Sequence, residues 1–185
     1  DEIDDIKGHL RKWVGWYYRT MADIVAPDFP VLRGRETKRL FDPEQEIVVD
    51  FGSGSQRLGP DVICVDFTDY EAVDIVCDIC RRLPFVEGAL DGSTSWGGME
   101  HLSDPEGFVR EVFRCTKTGG KTLHMVPFLY HFHSSPFDFF RFTHKGLEIL
   151  FAPFKPMDVR NSSGPVSYFL LGLVEFLSSL FSFGS

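Results

Sequence analysis

Basic residues are scarce in this chain of 185 residues, with 19 Lys and Arg against 27 Asp and Glu and a net charge of -8. A phosphate backbone needs a basic footprint, so nucleic acid is excluded as an obvious partner. Cysteine is also sparse. Cys64, Cys77, Cys80 and Cys115 sit among apolar neighbours without a disulfide-like framework, which points to a reducing, cytoplasmic setting. Cys77 and Cys80 have CxxC spacing, but no second CxxC or Cys/His pair stands at zinc-finger distance, and no metal ligand set is expected. The opening Asp1-Glu2-Ile3-Asp4-Asp5 lacks the basic flank and apolar stretch of a secretory leader. Internal repeats and low-complexity stretches are absent. The one long apolar run, Val166 to Phe183, places Phe169, Leu173, Phe176, Leu177 and Leu180 on one face and Glu175, Ser178, Ser179 and Ser182 on the other. That pattern predicts an amphipathic helix docked on the domain or on another subunit, not a membrane span.

What remains is a globular composition, 43% hydrophobic and 25% charged, at a length suited to one self-sufficient domain. The negative charge is concentrated: residues 47–115 carry 13 acids and 5 bases, whereas residues 116–185 carry 4 acids and 6 bases. Phenylalanine is abundant, with 19 residues. Phe128, Phe132, Phe137, Phe139, Phe140 and Phe142 crowd one segment, enough to line an apolar pocket or a subunit contact and to suggest a homo-oligomer.

The spacing of Ile3, Ile6, Leu10, Trp13, Tyr17, Met21 and Ile24 predicts an amphipathic helix over residues 3–25. Residues 28–45 read as a polar connector with the basic cluster Arg33, Arg35, Lys38 and Arg39, so that residues 1–45 form a cap. A core then runs over 46–161, followed by the apolar helix of 162–185. Ile47-Val48-Val49, Val62 to Val65 and Val73 to Cys77 are short apolar runs without polar alternation, as in buried parallel strands. Each ends at an acid, Asp50, Asp66 or Asp78. Asp104-Pro105-Glu106 announces a helix that Gly119-Gly120 should stop, Lys121 to Pro127 a further strand, and Thr143 caps a helix ending before Pro153. Strands alternating with helices predict an α/β fold with a mostly parallel sheet.

Ligands of such sheets bind beyond the carboxyl ends of the strands, where Asp50, Asp66 and Asp78 stand. Gly52 and Gly54 let the backbone turn sharply beside a ligand. The spacing after Gly54 does not fit a nicotinamide fingerprint, and Asp50 precedes the glycines. An acid there would repel a pyrophosphate but suits a cationic amino-acid ligand. Asp66 is placed for ribose hydroxyls and Asp78 for an adenine amino group.

Val48-Val49-Asp50-Phe51-Gly52-Ser53-Gly54, Val65-Asp66, Asp78 with Leu83-Pro84-Phe85, Glu100-His101-Leu102 with Asp104-Pro105, Arg114 to Gly120 and Val126-Pro127-Phe128 follow one another in an order that resembles small class I S-adenosylmethionine-dependent methyltransferases of the type 11 kind. The resemblance covers residues 47–154. It implies a Rossmann-like three-layer sandwich and S-adenosylmethionine as cofactor, held by Asp50, Gly52, Ser53 and Gly54 at the methionine part, Asp66 with Phe67 at the ribose, and Asp78 with Ile79 at the adenine, with Gly97 completing the set. His133-x-x-Pro136-x-Asp138-x-x-Arg141-x-Thr143 is similar to a pattern in a subgroup associated with glycan biosynthesis, which also shortens the segment between the first two strands. Only fifteen residues separate Asp50 from Asp66 here.

Methyl transfer to a small-molecule or carbohydrate-linked acceptor (O- or N-methylation) is the expected reaction. His133, His131 and His101 are the candidate bases, Asp138 orients or replaces one of them, and Arg141, Phe128 and Tyr130 face the substrate. Two departures keep open a catalytically degenerate binding module. The fourth strand, Leu90 to Trp96 with Gly97-Gly98 following, is polar and rich in glycine. After Phe154 only Pro156 to Val159 offers another strand, so the sheet is expected to lack its last edge member.

Overall fold

A computed structural model describes residues 29–130, 132–133, 137–161, 166, 168–173 and 176. The chain divides into two units, Leu32–Val159 and a second drawn from residues 1–31 and 160–185. In the second unit, residues 166, 168–173 and 176 are helical, within the span expected for the apolar helix. No helix of the described residues is long and apolar enough to cross a membrane. The helix expected over residues 3–25 lies outside the described residues.

The first unit is built on a five-stranded sheet with β1 (Val48–Phe51), β2 (Val62–Asp66), β3 (Ile75–Val76), β4 (Leu90–Trp96) and β5 (Thr116–Met125) in the order β3-β2-β1-β4-β5. Every pairing is parallel. The chain leaves β1 toward β2 and β3, then returns across it to β4 and β5, so a switch point lies between β1 and β4, where a crevice opens at the strand ends. The helices are α1 (Phe29–Leu40), α2 (Pro105–Cys115) and α3 (His144–Leu150), with a 3-10 turn at Met99–His101. Pro156 to Val159 adopts no strand, and β5 is the last strand among the described residues.

β1 and β2 carry apolar residues on both faces because both faces are covered. On one face Val49, Phe51 and Val65 pack with Phe108, Val109 and Val112 of α2; the Phe51 and Phe108 rings meet edge to face at 5.5 Å. On the other, Val48 and Val62 pack with Phe41, just after α1. Asp104 caps α2 by accepting from the Gly107 N–H at 2.8 Å, and Thr143 caps α3 by accepting from the Gly146 N–H at 3.0 Å; each such cap stabilises by ~1 kcal/mol.

Three local expectations are corrected. Residues 29–40 are a helix, not a connector. Its inward stripe is polar, with Arg33, Glu36 and Thr37 enclosed, so apolar periodicity does not reveal it. Gly119 and Gly120 do not end α2, which stops at Cys115; they lie within β5, where Gly119 takes φ +84°. The third strand is only two residues long, extended by Asp74, whose carboxylate accepts from the Cys64 N–H at 2.8 Å.

Residues 52–61 join β1 to β2 without a helix, as the short spacing led one to expect. A parallel crossover this short needs tethering. Arg57 supplies it, donating to the Val62 carbonyl at 3.0 Å and pairing with Asp74.

β4 is rich in polar residues and is nonetheless an interior strand and buried. Thr94 donates to Asp50 at 2.7 Å, Ser93 shares a hydrogen bond with Thr122 at 2.9 Å, and Ser95 one with His124 at 2.7 Å. Each enclosed hydroxyl thus has a partner on a neighbouring strand, which removes the desolvation cost that makes a polar core strand unfavourable. Gly92 has a steric reason: a Cβ there would lie 2.2 Å from the Phe41 ring.

A candidate cofactor and acceptor site at the strand ends

At the end of β1 the chain turns through Gly52 (φ +68°) and Gly54 (φ +64°), a region that an L side chain rarely adopts. The turn is drawn against β2, with the Gly52 and Ser53 N–H groups donating to the Val65 carbonyl at 2.8 and 3.2 Å. After β4 the chain turns again through Gly97 (φ +68°). The two turns face each other closely: a Cβ on Gly52 would stand 3.7 Å from the Cα of Gly98. The crevice between β1 and β4 is therefore walled by bare backbone.

Asp66, at the end of β2, accepts from the Gly54 N–H at Oδ2 and the Thr68 N–H at Oδ1, each at 2.9 Å. It locks the glycine turn, and each oxygen retains a lone pair for a hydroxyl donor. Beside it, Phe67 is 67% exposed, an apolar plate at the rim. Asp78 serves its own turn, accepting from the Cys80 N–H at 3.0 Å and from Arg81 Nε at 3.1 Å. Ile79 is buried with the main apolar cluster.

Asp50 lies beneath the glycine turn. Its carboxylate is fully enclosed, with Oδ2 held by Arg33 at 2.9 Å and Oδ1 by Thr94 at 2.7 Å. Burial raises its pKa to about 6, against the lowering effects of Thr94 and Arg33. Arg33 and Thr94 carry no signal in the sequence beyond membership of a basic cluster and of a polar strand. The Arg33 Nε is buried without a hydrogen bond among the described residues.

A second group forms where the 3-10 turn meets residues 132–141. The Glu100 carbonyl accepts from the N–H groups of Phe139 and Phe140 at 2.8 and 3.2 Å, and His101 Nδ1 meets the Phe137 carbonyl at 2.5 Å. Asp138 accepts from the His133 N–H at 2.8 Å and receives both terminal nitrogens of Arg141, at 2.5 and 2.7 Å. This fork of charge-assisted bonds holds the Asp138 carboxyl well below the usual carboxylate range. Arg141 Nε also donates to the Tyr130 carbonyl at 3.1 Å. The result is that residues 133 and 137–141 are fastened to the 3-10 turn, which brings Glu100, His101 and His133 together.

The sequence-derived acceptor residues thus divide. His101, His133, Asp138, Arg141 and Tyr130 converge, with Tyr130 and His133 rings 4.9 Å apart. Phe128 is 52% exposed. His131 lies outside the described residues. An open groove of about 320 Å³ runs along Tyr130, Phe132, Asp138, Phe139, Phe140 and Arg141.

Comparison with known proteins bears on the fold and the family resemblance. Residues 49–124 match the family described as a methyltransferase domain, Methyltransf_11. A 59-residue stretch is 41% identical to the mitochondrial 2-methoxy-6-polyprenyl-1,4-benzoquinol methylase of Leishmania donovani; the stretch covers 32% of this chain and 20% of that enzyme. Among solved structures, the methyltransferase bound to the activator Trm112 of Haloferax volcanii is 22% identical with a TM-score of 0.51, over 74% of this chain and 72% of that one. A Thermotoga maritima S-adenosylmethionine-dependent methyltransferase is 18% identical with a TM-score of 0.54, over 76% of each chain. At these identities the structural likeness shows the fold alone, a Rossmann-like parallel sheet with flanking helices.

Proposed function

We propose that this domain is an S-adenosylmethionine-dependent methyltransferase acting on a small-molecule or carbohydrate-linked acceptor. The observation that carries the reading is the joined pair of Asp66 and the Gly52–Gly54 turn, facing the Gly97–Gly98 turn across a gap where these four glycines add no side chain. The fit is good on three counts. Bare backbone at the switch point admits a bulky ligand, Asp66 retains lone pairs for ribose hydroxyls, and Phe67 offers an exposed ring at the rim. Asp78 and Ile79 support the adenine end through the position of their backbone rather than through free side chains. Bound there, S-adenosylmethionine supplies an electrophilic methyl group on a sulfonium centre.

The protein's own contribution is position and charge. Asp50, held by Arg33 and Thr94, places a carboxylate under the turn that favours a cationic ligand. Ser53 holds the turn through its N–H, and Gly97 through the 3.0 Å bond from its N–H to the Met125 carbonyl. On the acceptor side Arg141 fixes Asp138, and Asp138 fixes the His133 backbone. Holding an acceptor in line and in contact with the methyl group is worth several kcal/mol of barrier, and His133 is the residue to receive an acceptor's proton.

The acceptor class has a second reading. Phe128, Tyr130, Phe132 and Phe137 are 44–73% exposed along one loop, an apolar rim that suits a ring-bearing acceptor, and the Leishmania relative is a quinol methylase. The buried hydrogen bonds of β4 remove the objection that this strand could not form, which had favoured a degenerate module.

Isothermal titration with S-adenosylmethionine and S-adenosylhomocysteine tests the cofactor reading. Saturable binding of both is expected. A folded sample that binds neither is not a methyltransferase. Competition by a quinol or a glycoside for a fixed methyl-transfer signal then separates the two acceptor classes.

A further inference from the structure

The loop bearing residues 132–141 is already secured without the side chains of Glu100 and His133. Its fastenings are the two N–H groups on the Glu100 carbonyl, the His101 Nδ1 contact with the Phe137 carbonyl, and the fork of Arg141 on Asp138. The buried carboxylate of Glu100 is not among those fastenings. Glu100 is 2% exposed, and its Oε2 makes no hydrogen bond among the described residues. A buried carboxylate oxygen left so is costly unless something cationic meets it.

The neighbours are arranged to supply a ligand shell. Glu100 Oε1 lies 3.7 Å from His101 Nε2 and 3.6 Å from His133 Nε2, and one ligand atom from each of the three residues falls within 4.8 Å of the others. Metal–ligand bonds of ~2.0–2.1 Å in a tetrahedral shell hold ligand atoms about 3.3 Å apart, so both short separations need close by only a few tenths of an ångström. The tautomer is set as well. A carbonyl only accepts, so the His101 Nδ1 that meets Phe137 carries the proton, leaving the Nε2 lone pair directed at the cluster. That is the outer hydrogen bond metal-bound histidines characteristically make. His133 Nδ1 lies 3.5 Å from both Asp138 Oδ2 and Arg141 Nη2, so a metal on Nε2 requires the ring proton to sit on Nδ1 and face Asp138. Arg141, the nearby cation, has both terminal nitrogens bonded to Asp138 and acts on Glu100 only through space.

We infer that Glu100, His101 and His133 form a binding site for a divalent transition-metal cation of the zinc class. Two imidazoles and one carboxylate suit zinc or cobalt, not magnesium. Three protein ligands leave a fourth position open, as in metal sites that take up a substrate oxygen or water. The inference stands on these three side chains and is independent of whether methyl transfer occurs.

The test uses the full chain, stripped with a chelator and titrated with Co²⁺ alone, with no cofactor present. A visible d–d absorption band saturating at one equivalent and displaced by Zn²⁺ is expected. His101→Ala and His133→Ala should each weaken Co²⁺ binding by at least tenfold. His144→Ala should leave it unchanged, because His144 pairs with Glu148 on the surface. Far-UV circular dichroism reports whether each variant is folded. In addition, Zn²⁺ should raise the Tm of the native chain and not that of folded Glu100→Gln, which retains the shape of the site but loses its charge. No band in the native chain, or an unchanged band in both histidine variants, overturns the assignment; so does binding of Mg²⁺ in preference to Co²⁺.

Discussion

Asp50 makes a stability signature that belongs to this site. Its carboxylate is wholly enclosed, and burial raises its pKa from 3.8 to about 6. In the unfolded chain the group releases its proton near 3.8, whereas in the folded chain it keeps it to about 6. The folded state therefore binds the extra proton between those values, and the contribution of Asp50 to stability falls as pH rises through that window, while buried His124, lowered to about 3, acts in the opposite sense in native chain and variant alike. The difference for Asp50 is about two units, or ~3 kcal/mol at ~1.4 kcal/mol per unit. Because the group is fully buried, no discount for solvent screening applies. The carboxyls of Asp91 and Glu111, both lowered, act in the opposite sense but at more acid pH. The perturbation is Asp50→Asn, which retains the shape and an acceptor for Thr94 and abolishes titration. Its baseline stability will drop because Arg33 loses its counter-charge, so the informative quantity is the slope. Urea unfolding from pH 4.5 to 7.5 should show the native chain losing on the order of 2–3 kcal/mol relative to the variant. Parallel curves for the two proteins would refute the account of a carboxylate raised by burial.

Further outcomes follow from single contacts. Gly92→Ala should destabilise the domain by ~1–3 kcal/mol, because the new methyl overlaps the Phe41 ring; the added change Phe41→Leu should recover part of that in thermal unfolding. Asp66→Ala should weaken S-adenosylmethionine binding at least tenfold in calorimetry while far-UV circular dichroism stays native, since its partners are loop N–H groups. Arg57→Ala, which releases the helix-free link from β2 and Asp74, should speed proteolysis within residues 52–61 more than it lowers the global Tm. His133→Ala should reduce turnover with cofactor affinity kept, read from separate kinetic and calorimetric measurements.

The places of β1 and β2 along the chain and the caps of α2 and α3 were legible because each rests on a local rule: a β-branched run ending at an acid, Asp104 before Pro105, or Thr143 ahead of α3. α1 was not legible, for a physical reason. Apolar periodicity identifies a helix when its buried face is oil, and this one buries Arg33, Glu36 and Thr37. The apparent weakness of β4 was misleading in the same way. Ser93, Thr94 and Ser95 look unfavourable one by one, and only their partners Thr122, Asp50 and His124 on neighbouring strands account for them. A polar group in a core is judged by a partner that the sequence does not locate.

The same argument separates the two halves of the candidate site. The cofactor half is written in consecutive residues, since a positive-φ turn needs its glycines where the chain bends and Asp66 lies one short strand away. The Glu100, His101 and His133 cluster joins a turn after β4 to a loop after β5, and its members have no spacing that a metal-ligand pattern would detect. What marks it is a deficit, the Glu100 oxygen without a hydrogen bond among the described residues, inside a loop whose other polar groups are well connected. The negative charge of the middle of the chain gains meaning from this contrast. Asp66, Asp78 and Asp91 have their carboxylates bonded to backbone N–H groups, and Asp50 is bonded to Arg33 and Thr94. Among these acids Glu100 stands apart, buried and still uncompensated at Oε2, and it is there that a cation has the most to stabilise.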